Sequence, residues 1–124
     1  MKLSELSEKY YFHDSSLEHS WFDKEKNELI LEIELCTWMQ DWYSEESDND
    51  IEIIYLVFRN VLFSDITEFK PSNYDEILDV DLLTAENGRE GIKIHIESAN
   101  DFQMITIFAE DVEVKKHYPS LRKR

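Results

Sequence analysis

The chain is poor in the residues that staple, break or loosen a backbone. Its 124 residues include one cysteine, two glycines and two prolines. The single thiol, Cys36, excludes an intrachain disulfide and fits a reducing compartment. Two glycines cannot furnish a phosphate-cradling Gly-rich loop, and no G-x-S-x-G nucleophile elbow is present. No apolar run approaches the roughly 20 residues that span a bilayer. Met1-Lys2-Leu3-Ser4-Glu5 lacks the apolar core of a signal peptide. These absences point to a cytoplasmic protein. Positive charge is scarce too, with 13 bases against 28 acids and a net charge of −15. Five of the bases (Lys115, Lys116, Arg122, Lys123, Arg124) fall in the last ten residues, so residues 1–114 carry eight bases against 28 acids. Such a body repels nucleic acid and anionic membrane and steers a basic partner toward itself. The same acidity also serves simple solubility.

Apolar residues make up 42% of the chain, enough for one folded domain over 1–124 without metal or disulfide staples. The most apolar stretch is 51–63, rich in β-branched and aromatic residues and free of Gly and Pro. Alternation puts Ile51, Ile53, Tyr55 and Val57 on one face and Ile54, Leu56 and Phe58 on the other. A strand apolar on both faces must be covered on both, so it lies centrally. Around it the chain reads as a short helical turn over 3–9, then a hairpin of 17–22 and 28–36 turning through 23–27. In the second arm Leu29, Leu31, Ile33 and Leu35 oppose Glu32 and Glu34.

Beyond Arg59-Asn60 the pattern bends into a second strand through Ile66, and Lys70-Pro71-Ser72-Asn73 marks a turn. Strands follow at 77–83 and, after a loop holding Asn87-Gly88, at 92–96. Ser98-Ala99-Asn100-Asp101 turns into 102–109, and Val112 and Val114 extend the pattern past Glu110-Asp111. The basic tail 115–124 reads as loose. The fold class is mainly β: an antiparallel sandwich or partly closed barrel of seven to eight strands with a short N-terminal helical turn. Edge strands with this alternation allow a homodimer.

Chemistry-bearing residues are few. His13 and His19 flank Asp14 and Glu18, but on a strand the two histidines stand about 20 Å apart, and on a helix they occupy different faces. Asp41 to Glu52 has the twelve-residue length of a calcium loop, yet Glu46 stands where the sharp turn requires glycine and Tyr43 where a ligand belongs. No metal or other cofactor is expected. Cys36 ends an apolar strand and reads as a small buried residue. Asp79 and Asp81 share an outward face and, with His95, would serve a hydrolase only if they met in one cleft. With no nucleophile, base and oxyanion set in view, the chain reads as a non-enzyme.

The remaining feature is the segment 37–50, which holds Trp38, Met39, Trp42 and Tyr43 beside Glu45, Glu46, Asp48 and Asp50 and no base. Aromatic anchors rimmed by acids suit docking to a basic protein. Alternatively, Trp38 and Trp42 cap the open end of the β core. A different reading makes the protein a small apolar-ligand barrel lined by Tyr55, Phe58, Phe63, Phe102 and Phe108.

Phe12-His13-Asp14-Ser15-Ser16-Leu17, followed by a hairpin and then Tyr55-Leu56-Val57-Phe58-Arg59-Asn60-Val61, resembles small bacterial proteins grouped with the immunity proteins of polymorphic toxin systems. The likeness covers about residues 10–66. It implies a β-rich fold and a toxin-neutralising, non-enzymatic role, and carries over no catalytic residue. Residues 13–15 are expected to be structural.

Overall fold

The computed structural model describes residues 1–46, 49–66, 75–85, 87–98 and 101–118. Its elements are α1 (Leu3–Lys9), β1 (Ser16–Asp23), β2 (Glu28–Cys36), a 3-10 turn (Thr37–Met39), β3 (Ile51–Asp65), β4 (Glu76–Thr84), β5 (Glu90–Ser98) and β6 (Asp101–Lys115). Every strand pairing is antiparallel. The sheet runs β1-β2-β3-β6-β5-β4 and closes as a barrel where Ser16 of β1 meets Glu76 of β4. That seam is short. It is sewn by the His13-Asp14-Ser15 turn, where Asp14 N–H donates to Ile77 O at 3.0 Å and Ile77 N–H donates to Ser15 O at 2.7 Å. Leu17 N–H adds a third bond, to Asp75 O at 2.9 Å. Among the described residues no helix is long and apolar enough to cross a membrane.

β3 takes the central place that its composition demands, with β2 along one edge and β6 along the other. Its inner residues Ile54, Leu56 and Phe58 join Leu29, Leu31, Ile33 and Leu35 of β2, Ile92, Ile94 and Ile96 of β5, and Ile105 and Ile107 of β6 in one core. Leu3 and Leu6 of α1 are fully buried in the same core. The outer face of β3 is covered as well: Tyr55 and Val57 are buried with Ile30, and Trp21, Ile53 and Tyr118 pack against them. Lys115 closes β6, and the Tyr118 ring lies 6.1 Å from that of Tyr55. Residues 119–124 of the basic tail, and the turn expected at Lys70-Pro71-Ser72-Asn73, lie outside the described residues.

The described residues form six strands rather than seven or eight. The sequence bends at Arg59-Asn60 into a second strand, but β3 runs through that point for 15 residues, and β6, whose pattern extends past Glu110-Asp111 as expected, is equally long. The reason is a matched distortion. Asn60 takes a left-handed φ of 50°, tolerable for asparagine, and its Nδ2 donates to Glu110 Oε2 at 2.9 Å. Inner positions then fall at Phe58 and Val61 on β3, opposite Val112 and Ala109 on β6. Both strands turn over together, so pairing survives where strict alternation fails.

The core inside the barrel is mostly aliphatic, and of the five aromatics expected to line a ligand cavity only Phe58 belongs to it. Tyr55 sits in the outer cluster, and Phe63 and Phe102 are 54% and 71% exposed. Phe108 lies outside too, in edge contact with Phe63 and paired in register with Gly91. A Cβ on Gly91 would stand 2.7 Å from the Phe108 ring, so glycine is required for that ring to lie flat on the strand. Gly91→Val should cost about 1–3 kcal/mol despite the better strand propensity of valine. Adding Phe108→Ala should return most of that loss in a denaturant titration, and equal destabilisation of single and double variants would contradict the contact.

Candidate functional site

The segment between β2 and β3 is tied down at its base. Thr37 N–H donates to Asp50 O at 2.9 Å and the Thr37 hydroxyl donates to Asn49 O. Gln40 is buried and makes three bonds through one side chain. Its Oε1 accepts Tyr11 N–H at 2.8 Å, while its Nε2 donates to Tyr11 O at 2.6 Å and Cys36 O at 3.0 Å. Only an amide presents donor and acceptor together in this way. Sequence reasoning passed over Gln40, because Tyr11, in the segment between α1 and β1, lies 29 residues away and no local pattern marks the pair.

Above this base the aromatics stand out into solvent. Trp38 is 52% exposed and Trp42 45%, while Met39 and Tyr43 are half-buried. The Tyr43 hydroxyl donates to Asp50 Oδ1 at 2.6 Å, so one acid of the set is held in place by one of the rings. Asp41, Glu45, Glu46 and Asp50 are exposed, and Asp48 lies outside the described residues. No lysine or arginine occurs from Asn27 to Phe58.

Trp42 also lies at the end of the barrel where β2 finishes and β3 begins. A pocket of about 300 Å³ there is lined by Leu35, Ile54, Val114, Tyr10 and Trp42. Glu52 enters the same pocket because it shares the inward-facing parity of Ile54, Leu56 and Phe58. Lys116 Nζ meets its Oε1 at 3.0 Å. In the sequence Glu52 is the last residue of a twelve-residue stretch whose pattern does not fit a calcium loop; in the structure it is the second residue of β3 and lines this pocket. Among the described residues, no group of three or more His, Cys, Asp or Glu side chains is arranged to hold a metal ion.

The other chemistry-bearing residues are separate from this end and from one another. His13 Nδ1 donates to Leu78 O at 2.7 Å, and His19 Nδ1 lies 3.2 Å from Glu32 Oε1 with its ring stacked on Trp21. Ser15 is fully buried, and its Oγ accepts Cys36 N–H at 3.0 Å. The Cys36 thiol donates to Asp14 O at 3.2 Å, and burial with Asp14 nearby pushes its pKa up, away from the reactive thiolate. His95 Nε2 and Asp81 Oδ2 approach to 2.8 Å, with Asp79 exposed beside them on the outer face of β4 and β5 rather than in a cleft. Arg59 spans three strands on the outer face, reaching Glu28 at 3.4 Å, Asp111 at 3.6 Å and Glu113 more closely still.

Several carboxyl groups titrate away from their ordinary range. Burial and a shared hydrogen bond with Glu34 raise Glu18, and a hydrogen bond with Asp14 raises Glu76. Glu76 and Glu18 therefore bind protons more tightly folded than unfolded, so stability rises as pH falls through their raised values toward the ordinary glutamate value of 4.5. His13 is raised above 6.5 by the Leu78 carbonyl and nearby carboxylates, so its contribution is complete below 6.5 and is lost as pH rises through the folded value. Glu113, lowered by its bond to Arg59, works in the opposite sense: its contribution is present above the ordinary value and is lost as pH falls through the lowered one. Thermal melts should show a Tm maximum on the acid side of neutrality and a decline from there toward pH 8. A Tm that rises from pH 5.5 to 8 would contradict these assignments. Comparison with family models, with curated proteins and with solved structures returned no match.

Proposed function

We propose that this is a non-enzymatic cytosolic binding protein that docks a basic protein partner, such as a toxin, on the 37–50 loop in the manner of an immunity protein. The observation that carries the reading is the contrast within that loop. Its base is pinned by Thr37 and Gln40, yet Trp38 and Trp42 stay about half exposed among acids. A pinned loop has already met part of the ordering cost of association. Exposed tryptophans supply the anchors that dominate interface energetics, and the acidic rim accelerates encounter with a positively charged surface. The resemblance carried by residues 12–17 and 55–61 points to the same class of role. The His13-Asp14-Ser15 turn sews the barrel seam here, which leaves docking to the loop. An apolar-ligand barrel has less support, since Tyr55 sits in the outer cluster and Phe63 and Phe102 are exposed.

Affinity capture from the native host with wild-type and Glu45→Lys/Glu46→Lys baits tests the proposal. A basic protein should bind the wild type, bind the variant about tenfold or more weakly, and lose affinity steeply as salt rises. A partner held equally by both baits and indifferent to salt would overturn it.

A further inference from the structure

The pocket at the barrel mouth is built for a cationic side chain, and we infer that a lysine or arginine of the basic partner inserts there, taking the place that Lys116 now holds on Glu52. This deepens the docking reading and rests on it. Three features converge on the occupant. Leu35, Ile54 and Val114 line the pocket with aliphatic surface that matches a methylene stem. Tyr10 and Trp42 add aromatic lining, with Trp42 still 45% exposed and able to stack on a cation. Glu52, on the inward-facing parity of β3 and 30% exposed, adds a carboxylate to the same lining.

Lys116 shows which group the carboxylate takes. Its Nζ reaches Glu52 Oε1 at 3.0 Å while the lysine side chain remains 72% exposed, so the pair is a loose internal contact that an incoming cation can displace. The surroundings favour that exchange, because Asp41, Glu45, Glu46 and Asp50 on the adjoining loop are exposed acids. Trp42 then has two roles: it walls the pocket and belongs to the docking rim, so one inserted side chain would engage both.

The test is a titration of the intact chain with pentalysine and with pentaarginine, followed by the Trp42 and Trp38 indole N–H resonances, with pentaglutamate as the control. The expected result is a saturable shift at Trp42 with either basic peptide. Glu52→Gln should weaken it about tenfold, whereas Glu97→Gln on the outer face of β5 should leave it nearly unchanged. Lys116→Met should tighten binding about threefold or more by removing the internal competitor, beyond the effect of the charge-matched Lys93→Met. Circular dichroism of each variant guards against misfolding. If the peptides shift Trp38 but leave Trp42 and Glu52 unaffected, the pocket inference fails while the acidic loop stands. If neither indole responds, both fail. Equal effects of Lys116→Met and Lys93→Met would reduce the pocket to general electrostatics and overturn the inference.

Discussion

Phe58→Ala should destabilise the protein by about 3–5 kcal/mol, a large part of the total stability of a domain this size. Phe58 is fully buried on the inner face of β3 and pairs in register with Leu29 on one side and Val112 on the other, both fully buried. Removing its ring leaves a void bounded by strands on both edges, which cannot collapse without breaking their register. The experiment also weighs the filled interior against a ligand cavity. In a barrel that already held open space around Phe58, truncation would cost little more than the transfer term. A loss under about 1.5 kcal/mol in a denaturant titration would mean the interior is not packed as described.

Gln40→Ala is the second large effect, and it links stability to function. It removes three hydrogen bonds at once and leaves the Tyr11 N–H and two carbonyls unmatched in a half-buried crevice. The expected cost is about 2–3 kcal/mol. Gln40→Glu should cost nearly as much, because a carboxylate cannot donate to the Tyr11 and Cys36 carbonyls. The accompanying signature is local. Amide exchange should quicken across 38–46 with little change in β5, and capture of a basic partner should weaken although no rim residue has been altered. If the loop keeps its protection in both variants, Gln40 does not pin it.

Much of the fold was legible because period-two alternation maps directly onto inner and outer faces. β2 has the expected limits of 28–36, and Leu29, Leu31, Ile33 and Leu35 point inward as a set, as do Ile92, Ile94 and Ile96. The overcount of strands came from the same rule. A face reversal at Asn60 resembles a strand end when that segment is read alone, because its match lies across the pair at Glu110. The misplaced aromatics have another cause. Phe63, Phe102 and Phe108 are apolar, and apolar character alone suggests an inward position, but register puts Phe108 beside Gly91 and Phe102 beside Glu97 on the outer face. The loop could be recognised by its composition, whereas its anchors could not. Gln40, Ser15 and Glu52 act through partners 29, 21 and 64 residues away, separations at which no local pattern operates.

The central claim is that one end of the barrel, not its walls, is the surface that meets a partner. Hydrogen exchange on the protein alone and in complex with the basic partner proposed above tests this most directly. Protection gained across residues 38–46 and at the start of β3, with the outer face of β6 unchanged, is the predicted result. Protection centred on the exposed Phe102 and Met104 of β6, with the loop exchanging as freely as before, would contradict it.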